Sequence, residues 1–159
     1  MKNLKKLLAL LLIAATLITL LAACGGSSEK DVPVADLASA VEKAIGNSGM
    51  VDPGDSYVKG YMKRSAEELG DYTIRKTVVG TSIDEFGVFR AGKLTTAELK
   101  SMIEAYLKLL QDAWMNYQPE EKPKLDGARI TVEGSYVLYT ILDDADSEAA
   151  VKALKAALK

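Results

Sequence analysis

The sequence predicts an α+β fold: one domain in which a small antiparallel sheet is packed with helices in the order α, β-β, long α, β-β, α, after a cleaved signal peptide. Three observations predict it. A helix-start signature at Thr95 opens a long apolar stripe at steps of three and four. Short runs rich in β-branched and aromatic residues stand in pairs before and after that stripe. The N-terminus is patterned as a processing signal rather than as part of a core.

The elements follow in chain order. In Val34–Ile45 the residues Leu37, Val41 and Ile45 recur at helical spacing, and Gly46, Asn47 and Gly49 close the segment. The stretch from Gly49 to Gly70 is weakly patterned, though Ser65 followed by Glu68 reads as a capping box for a short turn of helix ending at Gly70. Residues 72–79 alternate as a strand until Gly80 and Thr81, and Phe86, Val88 and Phe89 make a second strand.

Thr95 then suits a helix N-cap with Glu98 at the third position, and Leu94 with Leu99 supplies the hydrophobic staple. Leu99, Met102, Ile103, Tyr106, Leu110, Ala113, Trp114 and Tyr117 continue the stripe on one face until Pro119 stops it. Ala128, Ile130 and Val132 alternate with polar residues, Gly134-Ser135 offers a turn, and residues 136–142 run back as a strand. That strand is apolar on both faces, so it is expected in the centre of the sheet. Asp146 is the expected cap of a terminal helix whose buried stripe is Val151, Leu154 and Leu158, with Lys152, Lys155 and Lys159 near its negative end.

Lys2, Lys5 and Lys6 precede an apolar run over residues 7–23, broken only by the hydroxyls of Thr16 and Thr19. Such a run nearly reaches the roughly 20 residues that span a bilayer, so an uncleaved helix is the competing reading. Its end decides the matter: Leu21-Ala22-Ala23-Cys24 is a lipobox, with cleavage expected between Ala23 and Cys24 and a diacylglycerol on the Cys24 thiol. Residues 1–23 are thus a signal peptide, 24–32 a lipidated cysteine and flexible tether, and 33–159 the domain. Two acyl chains make a lasting anchor where one gives only reversible attachment. The expected address is the extracytoplasmic face of the cell membrane.

Cys24 is the one cysteine, so the domain has no disulfide to draw on and depends on its core, for which about 130 residues suffice. Losing three lysines with the signal peptide takes the formal charge from −2 to −5. That acidity argues against a nucleic-acid partner.

Glu85-Phe86-Gly87-Val88-Phe89-Arg90-Ala91, the long helix, Tyr117-Gln118-Pro119-Glu120-Glu121 with Lys124-Leu125, and Gly134-Ser135-Tyr136-Val137 form a spaced set. In this the chain resembles an uncharacterised lipoprotein family, domain of unknown function forty-three fifty-eight, found mainly in Gram-positive anaerobes. The resemblance spans residues 37–158. It implies an exported lipoprotein with this order of elements, and it implies no activity, cofactor or catalytic residue.

The chain contains no histidine, the commonest general base and zinc ligand, and lipidation consumes the thiol. No catalytic residue and no cofactor are expected. Asp143, Asp144 and Asp146, extended by Glu148, could offer oxygen to calcium, but carboxylates beside a helix start account for them as caps, and no metal is expected. Tyr106, Trp114, Tyr117, Tyr136 and Tyr139 have the spacing of core residues. Tyr57 and Tyr61 lie in the weakly patterned stretch and are the candidate ligand contacts. The leading functional class is a noncatalytic interaction module working on another envelope protein or on the wall; the alternative is a small-molecule or ion-binding lipoprotein serving a transporter.

Overall fold

The structure, a computed structural model, describes residues 30–47, 49–78, 82–114 and 118–159. The expected signal peptide, the expected cleavage junction of Ala23 and Cys24, and Tyr117 lie outside the described residues. Among those described, no helix is long and apolar enough to cross a membrane.

Among the described residues six helices and four strands follow one another: α1 (Val34–Ile45), α2 (Asp55–Tyr61), α3 (Ala66–Leu69), β1 (Tyr72–Lys76), β2 (Glu85–Arg90), α4 (Thr96–Trp114), α5 (Lys122–Asp126), β3 (Arg129–Glu133), β4 (Tyr136–Ile141) and α6 (Asp144–Ala157). The expected order is present. The strands form one antiparallel sheet in the order β1-β2-β4-β3. As its two apolar faces require, β4 is central, and all six of its residues are buried.

The two-residue period of the strands divides the core between the two faces of the sheet. On one face Ile74, Phe89, Val137, Tyr139 and Ile141 pack under the Leu99, Ile103, Tyr106 and Leu110 stripe of α4, with Val58 of α2, Leu69 of α3 and Leu125 of α5. On the other, Phe86, Val88, Tyr136 and Leu138 meet Leu37, Ala38 and Val41 of α1 and Ala150 and Leu154 of α6. Helices therefore cover both faces of the sheet. Burying each large aliphatic side chain stabilises the fold by about 1.5–3 kcal/mol.

The caps explain the helix boundaries. Thr95 and Glu98 form the expected reciprocal pair, the Glu98 amide donating to Thr95 Oγ1 at 3.2 Å and the Thr95 amide to Glu98 Oε2 at 2.8 Å. Ser65 and Glu68 do the same for α3. Gly46 ends α1 in the left-handed region, φ 67°. The chain enters through Val32, whose amide donates to the Tyr136 hydroxyl at 2.9 Å while that hydroxyl donates to the Val32 carbonyl at 2.7 Å.

Three expectations need correction. α6 is capped by Asp143, not by Asp146: Asp143 is extended and its carboxylate accepts the Asp146 amide at 2.9 Å, which makes Asp146 the third helical residue. β1 ends at Lys76, because Thr77 turns to donate from its amide to the Asp84 carbonyl (2.9 Å) and from its hydroxyl to the Ser82 carbonyl (2.7 Å). The weakly patterned stretch holds a second helix, α2, which buries only Val58 and so leaves no stripe to read.

Candidate functional site: a buried carboxyl beside an open groove

Glu85 opens β2 on the face covered by α4, and only 2% of it is exposed. β2 is flanked on both edges, by β1 and β4, so a side chain on this face cannot escape to water at a sheet edge. Tyrosines from three elements converge on the carboxyl. From α4, Tyr106 places its hydroxyl 2.6 Å from Oε1; from β4, Tyr139 lies 2.5 Å from the same oxygen; from α2, Tyr57 lies 2.7 Å from Oε2. The hydroxyls of Tyr57 and Tyr106 are themselves 2.6 Å apart. Lys76 of β1 stands 3.8 Å from Oε2 and lies over the Tyr57 ring, 4.4 Å from its centroid.

Gly87 makes this arrangement possible. It pairs with Tyr139 across the β2 and β4 ladder, and the Tyr139 ring lies over it: a Cβ at position 87 would sit less than 3.0 Å from ring carbon Cε1. With no side chain there, the ring lies along β2 and delivers its hydroxyl two residues back, to Glu85. The rings support one another, Tyr106 meeting Tyr139 edge-on at 5.8 Å and Tyr57 meeting Tyr106 edge-on at 6.4 Å.

Burial pushes the Glu85 carboxyl above the ordinary carboxylate range, while the hydroxyls of Tyr106, Tyr139 and Tyr57 and the charge of Lys76 pull the other way. Burial, followed by neighbouring charge, also raises all three phenols.

The outer side of this cluster borders a groove of about 580 Å³ between the end of α2, the turn after it, and α4. Tyr61, Met62, Met102 and Leu109 supply its apolar surface, and Tyr106 joins the groove to the cluster. Tyr61 is 42% exposed and Leu109 37%, and the Tyr61 ring lies 4.6 Å from that of Tyr57. The charged groups at the rim are engaged within the protein: Arg64 with Glu68 at 3.3 Å, Glu98 with Thr95, and Lys63 Nζ with the Gly60 carbonyl. Lys63 adopts φ 56°, a left-handed conformation in which a side chain is strained.

The sequence-predicted site residues are divided by the fold. Tyr57 and Tyr61 come together, one on the buried carboxyl and the other on the groove. Asp143 caps α6, Asp144 pairs with Arg129 at 2.7 Å, and burial with the charges of Asp143 and Asp84 holds Asp146 above its usual range. Among the described residues no group of three or more Cys, His, Asp or Glu could hold a metal ion. Two Ser-x-x-Lys spacings occur, at Ser27 with Lys30 and Ser56 with Lys59. Ser27 lies outside the described residues, and Ser56 and Lys59 are exposed on α2 rather than set in a cleft. Glu85 is the functional candidate that sequence reasoning missed, although a lone carboxylate amid Phe86, Val88 and Phe89, two residues before a strand glycine, is a detectable signal.

A three-layer domain with an antiparallel sheet, a buried glutamate held by tyrosines and an apolar groove beside it is the class that fold and site define. The family model described as Domain of unknown function (DUF4358) matches residues 43–142, and the chain belongs to that family. The match starts within α1 and stops before α6. No curated protein and no solved structure matches the chain. The motif residues behind the resemblance have identifiable structural work here. Glu85 and Gly87 build the tyrosine cluster. Lys124 Nζ binds Asp84 at 2.6 Å and Glu121 at 3.0 Å, tying α5 to the start of β2.

Proposed function

We propose that the chain is a lipoprotein, held on the extracytoplasmic face of the cell membrane by a diacylglycerol on Cys24, and that its domain is a noncatalytic interaction module presenting the groove between α2 and α4 to another envelope protein. The single observation that carries the groove's role is its chemistry: the charged side chains at its rim are engaged within the protein, while Tyr61 and Leu109 remain exposed around a methionine-lined floor. Such a surface offers apolar area and adaptable packing rather than directed hydrogen bonds, which suits a protein partner. The lipobox at Leu21-Ala22-Ala23-Cys24 supports the address.

A photo-crosslinking residue at Tyr61 in intact cells, with and without Leu109→Arg, tests the module. The expected result is a discrete protein adduct that the arginine abolishes without lowering the melting temperature. An adduct unaffected by Leu109→Arg would remove the groove from consideration.

The groove volume gives specific support to the second reading, a small-molecule or ion-binding lipoprotein serving a transporter, because pockets of roughly 300–1,000 Å³ accommodate small ligands. A thermal-shift screen separates the two. A ligand at 100 times its dissociation constant adds about 2.7 kcal/mol to the folded state.

A further inference from the structure

Four short oxygen-oxygen contacts meet at Glu85: Oε2 with Tyr57, Tyr57 with Tyr106, Tyr106 with Oε1, and Tyr139 with Oε1, all between 2.5 and 2.7 Å. Each needs one hydrogen between its oxygens, because two bare oxygens at that distance repel. Three phenols supply three hydrogens. A carboxylate supplies none, and one of the four contacts would then be left without a hydrogen. A protonated carboxyl supplies the fourth.

We propose that Glu85 is held as the neutral acid, closing a hydrogen-bonded ring through Tyr57 and Tyr106, and that loss of this proton loosens α2 against α4, so that the groove carries a pH-sensitive latch. In the closed state Oε2–H donates to Tyr57, Tyr57 to Tyr106, and Tyr106 and Tyr139 both to Oε1. Every hydroxyl donates once and every contact is filled. On deprotonation the Oε2–H bond breaks and the proton passes to water by way of Tyr57, the ring member that is not fully buried. All three phenols then turn their hydrogens to the carboxylate, and Tyr57 and Tyr106 face each other with none between them.

The strain falls on α2 because α2 has the least to hold it. It is seven residues long, buries only Val58, and is entered at Gly54 and left at Lys63 with positive φ at both. Tyr106 and Tyr139 are fixed in a long helix and a central strand. The charged and titratable groups facing Glu85 are few: Lys76 from β1, Tyr57 from α2 with Tyr61 behind it, Tyr106 from α4 and Tyr139 from β4. On α5, Lys124 is committed to Asp84 and Glu121. Among the described residues Lys76 is the one cation positioned to stabilise the anion, at 3.8 Å and partly exposed. The latch stands on the hydrogen count alone; only its consequence for binding rests on the groove reading above.

Infrared difference spectroscopy of the full chain in detergent, wild type minus Glu85→Gln, tests the protonation state directly. The expected result at about pH 6 is the carbonyl stretch of a protonated carboxylic acid, retained in Lys76→Met. Hydrogen exchange over Asp55–Tyr61 should lose about tenfold in protection between about pH 5 and pH 9 relative to Glu85→Gln, whose amide can donate to Tyr57 at every pH. A carboxylate band at about pH 6 would overturn the proposal, as would equal exchange in the two proteins. Should Glu85→Gln not fold, Tyr57→Phe serves as the reference, and the acid band must shift when that hydroxyl is removed; an unmoved band overturns the ring. If the acid band is present and the Tyr61 crosslink fails, the groove reading falls and the latch stands.

Discussion

Tyr139 and Glu85 sit on adjacent central strands with their hydroxyl and carboxyl oxygens 2.5 Å apart, and the space that lets them meet is the missing side chain of Gly87. Gly87→Ala should therefore destabilise the domain by about 2 kcal/mol or more, through overpacking against the ring and loss of the buried hydrogen bond. Urea denaturation measures it. An unchanged midpoint would show that the Tyr139 ring can move away at no cost.

Another buried polar contact lies on the opposite face, where Thr140 of β4 donates to Ser147 of α6 at 3.1 Å and both are at most 1% exposed. Thr140→Val or Ser147→Ala alone should cost about 1–2 kcal/mol by orphaning the partner, and the double variant less than the sum. A double-mutant cycle by chemical denaturation reads the coupling directly, and strict additivity would deny it.

Burial and then the nearby Asp55 carboxylate, 3.0 Å from its hydroxyl, push Tyr72 up to about 12. A phenol whose folded pKa exceeds its unfolded value contributes stability that is fully present below about pH 10 and is lost as pH rises through the folded value. Tyr72→Phe should flatten the fall in stability between about pH 10 and pH 12. Melting curves across that window test it, and an unchanged slope would assign the fall to other groups.

Lys124 joins three oxygen-bearing partners, Asp84, Glu121 and Ser82, and α5 has only Leu125 buried in the core. Lys124→Met should lower the melting temperature by about 3–6 °C, since it leaves two carboxylates facing each other. The effect should shrink as pH falls and Glu121 protonates. Burial opposes Glu121 ionisation, but the Ile83 amide and Lys124 outweigh it and hold this carboxyl below the usual range, so the clamp is lost only as pH falls through that lowered value.

Much of the fold was legible where local and global signals coincide. Thr95 and Glu98 announce α4 by chemistry confined to one turn, and Leu99, Ile103, Tyr106 and Leu110 continue it at a fixed period. β4 declares its central place because both of its faces are apolar. α2 was illegible: Pro53, Gly54 and Gly60 break any period, and Val58 is its one buried residue. The carboxyl site was hidden for a different reason, since Glu85 meets partners 28, 21 and 54 positions away and no sequence window contains them. Tyr106 and Tyr139 have the spacing of core residues and are buried in the core; their hydroxyls do the additional work.

Attachment through Cys24 is tested most directly by growing cells with a fatty-acid analogue and comparing the wild-type chain with Cys24→Ala. The wild-type protein should carry the label and sediment with membranes, since the two acyl chains proposed on Cys24 would hold it there. The alanine variant should carry none and retain the mass of the uncut precursor. Equal labelling and equal membrane association of the two would contradict the lipoprotein account.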